Sequence, residues 1–190
     1  MHWHKRPKSE YHPKKRLGFI HVYTGEGKGK TTSALGVAFR SVGHKMQVLI
    51  IHFIKGHKDF GEVLAAEERL KPYVEIAQFG TPESTNLQEP SAMDRYLAKQ
   101  GLDYARRAMI IKRPDILILD EINPAMAHGL IPVNDVLDFL DNKHRETEVI
   151  LTGRNAPKEI LNAADLITVM TTTKSPYNKA DFTPRKGVEH

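Results

Sequence analysis

The chain has 190 residues, with 28 Lys+Arg against 23 Asp+Glu, no cysteine and one tryptophan. That length suits one α/β domain able to bury its own core. The missing cysteine excludes disulfide scaffolds, cysteine-held zinc or iron–sulfur centres and thiol catalysis. The net charge of +5 is concentrated in residues 1–16, where Lys5, Arg6, Lys8, Lys14, Lys15 and Arg16 face Glu10 alone. The other 174 residues hold 22 basic and 22 acidic side chains. The basicity therefore belongs to a tail and not to the folded body, which argues against a nucleic-acid-binding face. No run reaches the ~18 apolar residues a membrane helix needs, and no signal-type apolar stretch follows the basic start. A soluble cytoplasmic protein without a membrane partner is expected.

Residues 1–16 contain two prolines, three histidines and almost no aliphatic side chain, and read as a basic, mobile arm. Residues 17–190 read as a single domain. Residues 17–23 form a short apolar, β-branched and aromatic run, hence a strand. Residues 33–42 have helical apolar spacing and end at Gly43. Residues 47–53 (QVLIIHF) are a run of buried-strand type. A helix is expected over 62–70, a strand over 74–79, and a long amphipathic helix over 92–111 with Tyr96, Leu97, Tyr104, Ala108 and Ile111 facing inward. Next come a strand over 116–119, a helix over 134–140, a strand over 149–152, a helix over 157–164 and a strand over 166–170. Strands separated by helical segments predict an α/β fold, a mostly parallel sheet with helices on both faces. Ligands in such sheets sit beyond the carboxyl ends of the strands. The irregular residues 80–90 are a functional-loop candidate. The polar residues 171–190 are expected to pack as a loop over the domain edge.

Residues 23–32 (YTGEGKGKTT) follow the first strand and open the first helix. Gly25, Gly27 and Gly29 allow backbone N–H groups to turn inward around a phosphate, with Glu26 and Lys28 between them. The helix N-terminus and Lys30 add positive charge, and Thr31 and Thr32 add hydroxyls. Thr31 suits a magnesium ion bridging phosphates. The strict phosphate-loop spacing fails by one residue, since Thr24 stands where the first glycine belongs. Asp120 and Glu121 close the apolar run 116–119. Either they hold magnesium or they are the acidic start of a helix. Arg40 on the first helix, Lys55 after the second strand and Arg154 after residues 149–152 are each equally readable as site or surface. Three coincidences carry little weight. Residues 178–181 (NKAD) imitate a guanine-reading motif but follow no strand directly; Asp59-Phe60-Gly61 lacks a kinase catalytic loop; and the ten histidines show no zinc-type spacing.

The chain resembles the phosphate-loop type of ATP:corrinoid adenosyltransferase from about Gly18 onward. The resemblance lies in TGEGKGKTTSALG, Gly43-His44, HFIKG (52–56), LILDEINPAMAHGLIP (117–132), ILTGRNAPKEILNAADLITVM (150–170) and the ending KGVEH. It implies a phosphate-loop NTPase-like (RecA-like) domain that moves the 5′-deoxyadenosyl group of ATP to the Co(I) centre of a corrinoid and releases triphosphate. It implies ATP contacts from residues 25–32, Arg40 and Arg154, with Lys30, Arg40 and Glu121 stabilising the leaving group. Magnesium would sit on Thr31, Asp120 and Glu121. The corrinoid would meet Phe79, Thr85 and Asn86, in a loop that carries Trp in the family's best-known form and none here. A homodimer and a corrinoid reductase partner are implied likewise. The reading from another class is a phosphate-loop ATPase acting as a nucleotide switch or on nucleic acid.

Overall fold

The computed structural model describes residues 17–81, 85–177, 182–183 and 185–189. The expected arm and residues 178–181 lie outside these. Six strands, β1 (Ile20–Thr24), β2 (Val48–Phe53), β3 (Val74–Phe79), β4 (Ile116–Asp120), β5 (Glu148–Thr152) and β6 (Leu166–Val169), form one sheet in the order β3-β2-β4-β5-β1-β6. Every pairing is parallel. β2, β4 and β5 are buried along their whole length, which explains why they read as unbroken apolar runs rather than as alternating ones.

Alternate side chains of each strand serve opposite faces. Leu49, Ile51 and Phe53 of β2, with Leu117, Leu119, Val149 and Leu151, pack under α3 (Ala92–Ile111), α4 (Ile122–Ala127), α5 (Val133–Asp141) and α6 (Lys158–Ala163). Val48, Ile50, Ile116, Ile118 and Ile150 pack under α1 (Lys30–Val42) and α2 (Gly61–Glu68). Helices thus cover both faces, as expected.

The helix α3 differs in its inward stripe. Tyr96 is 58% exposed and Ile111 77% exposed, while Ala98, Gly101, Leu102, Ala105, Ala108 and Met109 are buried. The reason is distance. A Cβ on Gly101 would lie 2.8 Å from the Phe53 ring, so the helix approaches the sheet through its small residues and turns the large ones outward. Ser91 and Asp94 cap the helix reciprocally, a device worth about 1 kcal/mol. Two further points concern helices. α1 begins at Lys30, inside the glycine-rich segment and not at Ser33, and the helix start that is one reading of Asp120-Glu121 opens the short α4.

The entry of β1 is held by Glu148. Its Oε2 accepts from the N–H groups of Gly18 and Phe19 at 2.7 and 2.9 Å, and its Oε1 meets His21 Nε2 at 2.6 Å. Burial pushes this carboxyl up, but the hydrogen bonds from His21, Gly18 and Phe19 outweigh it and hold it below its ordinary range. A depressed folded pKa contributes stability above the unfolded value and loses it as pH falls through the folded one. Glu148→Ala should therefore lower denaturant stability by about 1–3 kcal/mol at neutral pH. The gap to the wild type should close as the buffer is taken below the ordinary glutamate range. An equal gap at both pH values would remove the ionised carboxylate from this account.

Candidate active site

The carboxyl ends of β2, β4, β5 and β1 are consecutive neighbours in the sheet, and the segments leaving them converge. β1 delivers residues 25–29. Gly25 and Gly29 have φ of 94° and 116°, a region closed to most side chains. Gly27 is required for another reason: a Cβ there would lie 2.7 Å from the Thr171 carbonyl oxygen. The loop is thus pressed against the end of β6, and the Gly27 N–H donates to Met170 O at 2.8 Å. That corrects one expectation, because the Gly27 N–H is committed to Met170 and not turned inward. Gly29 is the N-cap of α1 and offers no side-chain cap, and the first turn carries no acid. The first N–H groups of this 13-residue helix therefore have no side-chain cap.

Lys30 is 8% exposed and folds back on the loop. Its Nζ donates to the carbonyls of Gly25 and Gly27, both at 2.7 Å. Burial, seconded by the charge of Arg154, draws its pKa down against the pull of Glu121 and Glu26.

β4 delivers Asp120, which is fully buried. Its Oδ1 accepts from Thr31 Oγ1 at 2.8 Å and Thr152 Oγ1 at 2.7 Å. Its Oδ2 accepts from His52 Nδ1 at 2.9 Å and Lys55 Nζ at 2.7 Å. A carboxylate has about four acceptor positions, so all are filled. Burial would raise the pKa of Asp120, but Lys55 and His52 overcome it and hold the carboxyl far below its usual range. Glu121 follows in the left-handed region, φ 61°, and heads α4. Its N–H donates to Thr152 Oγ1 at 3.1 Å and its Oε1 lies 3.7 Å from Lys55 Nζ. Burial and the neighbouring Asp120 charge push its pKa up, and Lys55, Lys30 and Arg154 only partly oppose this. Of the two readings of the acidic pair, the helix start is seen at Glu121, whose side chain also lines the cleft. Gly153, φ 122°, lets β5 pass under α4, since a Cβ there would lie 2.2 Å from Pro124 Cδ.

These elements wall a cleft of about 1330 Å³. Glu26, Lys28, Lys30, Thr31, Thr32, Glu121 and Arg154 of the sequence-predicted set line it, as does Lys55. Arg154 Nε pairs with Glu26 Oε2 at 3.1 Å across the mouth. Arg40 does not join them. It is exposed on α1, ten residues beyond Lys30, which is about 15 Å along the helix. Phe79 is packed under α3 against Tyr104, with ring centroids 5.5 Å apart. Thr85 Oγ1 donates to Asp94 Oδ1 at 3.2 Å, and Asn86 Oδ1 accepts from the Gln88 N–H. None of the three is in the cleft wall; Leu87 of the same loop is.

Residues 171–190 were expected at the domain edge. Of their described part, Thr172, Ser175, Tyr177, Phe182 and Gly187–Glu189 line the cleft instead. Lys28 Nζ ties them to the loop through Val188 O at 3.1 Å and Glu189 Oε1 at 3.0 Å. His52 and Thr152 escaped the sequence reading altogether. The available signals were a polar residue inside the apolar run 47–53 and a hydroxyl at a strand's carboxyl end.

Comparison with known proteins decides among the readings of this cleft. Residues 16–190 match the family ATP:corrinoid adenosyltransferase BtuR/CobO/CobP. The chain belongs to that family. Membership makes it a transferase acting on ATP and a corrinoid. A corrinoid adenosyltransferase of Sinorhizobium sp. is 34% identical over 90% of this chain and 80% of its own length. One from Escherichia coli K12 is 32% identical over 85% and 80%. An uncharacterized protein of Nostoc sp. is 39% identical over 78% of this chain, and the match spans only 42% of that longer protein. Among solved structures, the flagellar accessory protein FlaH of Methanocaldococcus jannaschii superposes with a TM-score of 0.55 at 13% identity, covering 80% of this chain and 71% of that one. That likeness shows the fold alone, a parallel sheet with helices on both faces.

Thr152 joins both acidic residues, so its hydroxyl is the test of the cluster. Thr152→Val removes a donor to Asp120 and an acceptor for the Glu121 N–H. It should cost about 1–3 kcal/mol in denaturant unfolding, and Thr152→Ser should restore most of it. Equal stability of the valine variant would show that the cluster is not held through this hydroxyl.

Proposed function

We propose that the cleft binds the triphosphate of ATP on residues 25–32 and positions C5′ for attack by the Co(I) centre of a corrinoid substrate. A cobalt–carbon bond forms, the C5′–oxygen bond breaks, and its electron pair leaves with triphosphate. The observation that carries this reading is the phosphate loop itself: an uncapped helix N-terminus and a buried lysine opening into a cleft far larger than a nucleotide needs. The family match supplies the second substrate.

The nucleophile comes with the corrinoid, so the chain's task is to bind, align and stabilise a leaving group of high negative charge. Lys30 leaves two loop carbonyls and turns to the phosphates. Arg154 leaves Glu26 to do the same. Arg40 would reach the nucleotide only after rearrangement, so its role is confined to the support of α1. A magnesium ion bound with the triphosphate would neutralise part of that charge. The donor chemistry fits a hard cation: the Thr31 hydroxyl keeps acceptor capacity after donating to Asp120, and Glu121 faces the loop. Asp120, with its four acceptor positions filled, orients Thr31. Phe79, Thr85 and Asn86 support the corrinoid from behind, through α3, and Leu87 is the contact their loop offers. Among the described residues no helix is long and apolar enough to cross a membrane. We further place the protein in the cytoplasm as a homodimer served by a corrinoid reductase. The exposed apolar side chains of Leu166, Ile167 and Val169 on the edge strand β6 suit cover by a second copy.

Hydrolysis is the competing outcome, because Glu121 is a carboxylate of raised pKa beside the loop, the type of group that activates water. One anaerobic assay with magnesium-ATP and chemically reduced cobalamin separates the two. The visible spectrum should report light-sensitive adenosylcobalamin and the phosphate product should be intact triphosphate. Orthophosphate without a cobalt–carbon bond would establish the ATPase reading. Lys30→Ala should reduce transfer by about 100- to 1000-fold while the circular dichroism spectrum shows the fold retained. Full turnover in that variant would remove the phosphate-site assignment.

A further inference from the structure

The Asp120–Glu121 pair already has a cation, and the protein supplies it. The Lys55 ammonium lies 2.7 Å from Asp120 Oδ2, 3.4 Å from Thr31 Oγ1 and 3.7 Å from Glu121 Oε1. Thr31 and Glu121 are the side chains that face a phosphate-bound metal in the reading above, and Asp120 is the carboxylate that orients Thr31. The placement is built and not incidental. β2 ends at Phe53, and Ile54 then takes φ 53°, a genuine outlier for a β-branched residue. Such strain costs about 1–3 kcal/mol and persists only where the surroundings impose it. Here they do: the Ile54 N–H is fixed to Phe79 O, and Gly80 packs so closely that a Cβ on it would lie 2.3 Å from the Lys55 backbone nitrogen. The turn leaves Lys55 little choice of direction.

Of the four groups bonded to Asp120, three cannot withdraw. His52 and Thr152 are fully buried on the sheet, and Thr31 is fixed in the first turn of α1. Lys55 alone has a long flexible stem and a side chain that is 23% exposed to the cleft. A divalent ion can gain a direct bond to Asp120 only by displacing it.

We propose that Lys55 is the resident cation of this site: it excludes a free divalent ion from Asp120 and Glu121, so that metal enters only together with the phosphates. The Lys55 ammonium is then free to move onto the same phosphates, which makes metal entry and nucleotide binding one event. The inference rests on the phosphate-site reading above but needs no corrinoid and no turnover.

The test is a titration with Mn²⁺ followed by electron paramagnetic resonance. The nucleotide-free wild type should take up no tightly bound Mn²⁺, and adding inorganic triphosphate should create a bound signal. Lys55→Met and Lys55→Gln should bind Mn²⁺ without triphosphate at least about tenfold more tightly than the wild type, since a fixed positive charge has been removed from contact. The further change Glu121→Gln should abolish that gain, and Lys55→Arg should behave as the wild type. Wild-type uptake of Mn²⁺ as tight without triphosphate as with it would overturn the proposal, and that comparison requires no variant. Folded Lys55 variants without the gain would overturn it too. Failure of triphosphate to create any bound signal would instead sink the phosphate-site reading, while the comparison of nucleotide-free proteins would still decide the role of Lys55.

Discussion

One buried carboxylate organises this protein. Asp120 has no exposure to solvent, and leaving it unpaired there would cost several kcal/mol. Its four partners come from four elements: Thr31 of α1, His52 of β2, Lys55 beyond it and Thr152 of β5. The requirement that all four be met at once locks the relative heights of the three central strands and the first helix. The phosphate loop inherits its position from that lock, because Thr31 is the second residue of α1 and Lys30 the first. Two interactions hold the other side of the loop. The Gly27 N–H is bound to the end of β6, and Lys28 is bound to Glu189.

The glycines follow from this arrangement. Gly27 and Gly153 are positions where another part of the backbone or a proline ring occupies the space of a Cβ. Their smallness lets the strand ends approach the acidic pair closely enough for hydroxyls to bridge it. The same economy appears in α3, where Gly101 and the alanines bring the helix onto Phe53 and Phe79. Phe79 therefore became a core residue. Its ring is needed under α3, and its loop reaches the cleft through Leu87 instead.

Within this frame the chemistry divides cleanly. Nothing in the cleft has to serve as the nucleophile, since a corrinoid substrate carries its own. The chain provides positive charge in two grades. Lys30, Lys55 and the helix N-terminus are partly or wholly desolvated, where a charge acts over a short range with full strength. Arg154 and Lys28 are exposed and held by carboxylates, Glu26 and Glu189, that can release them. In the proposed function a leaving group as charged as triphosphate suits such a graded set, because the desolvated charges would attract it most strongly and the exposed ones would close over it.

The sequence by itself determined the class of fold, the strands, most of the helices and the identity of the loop. These are local properties: apolar runs of strand length, helical spacing, and glycines beside a lysine. It also determined the family, because the segments that carry it stand in fixed order along the chain. The tertiary structure alone decided the Asp120 cluster, whose partners lie 89, 68, 65 and 32 residues away. It decided that Arg40 is exposed and stands off the cleft, and that Tyr96 and Ile111 face outward because α3 approaches the sheet through its small residues. It decided that Lys55, equally readable in sequence as site or surface, is paired with Asp120 at 2.7 Å. A spacing along one element is written in the chain, but a charge's partner across the sheet depends on strand order, which no local pattern encodes.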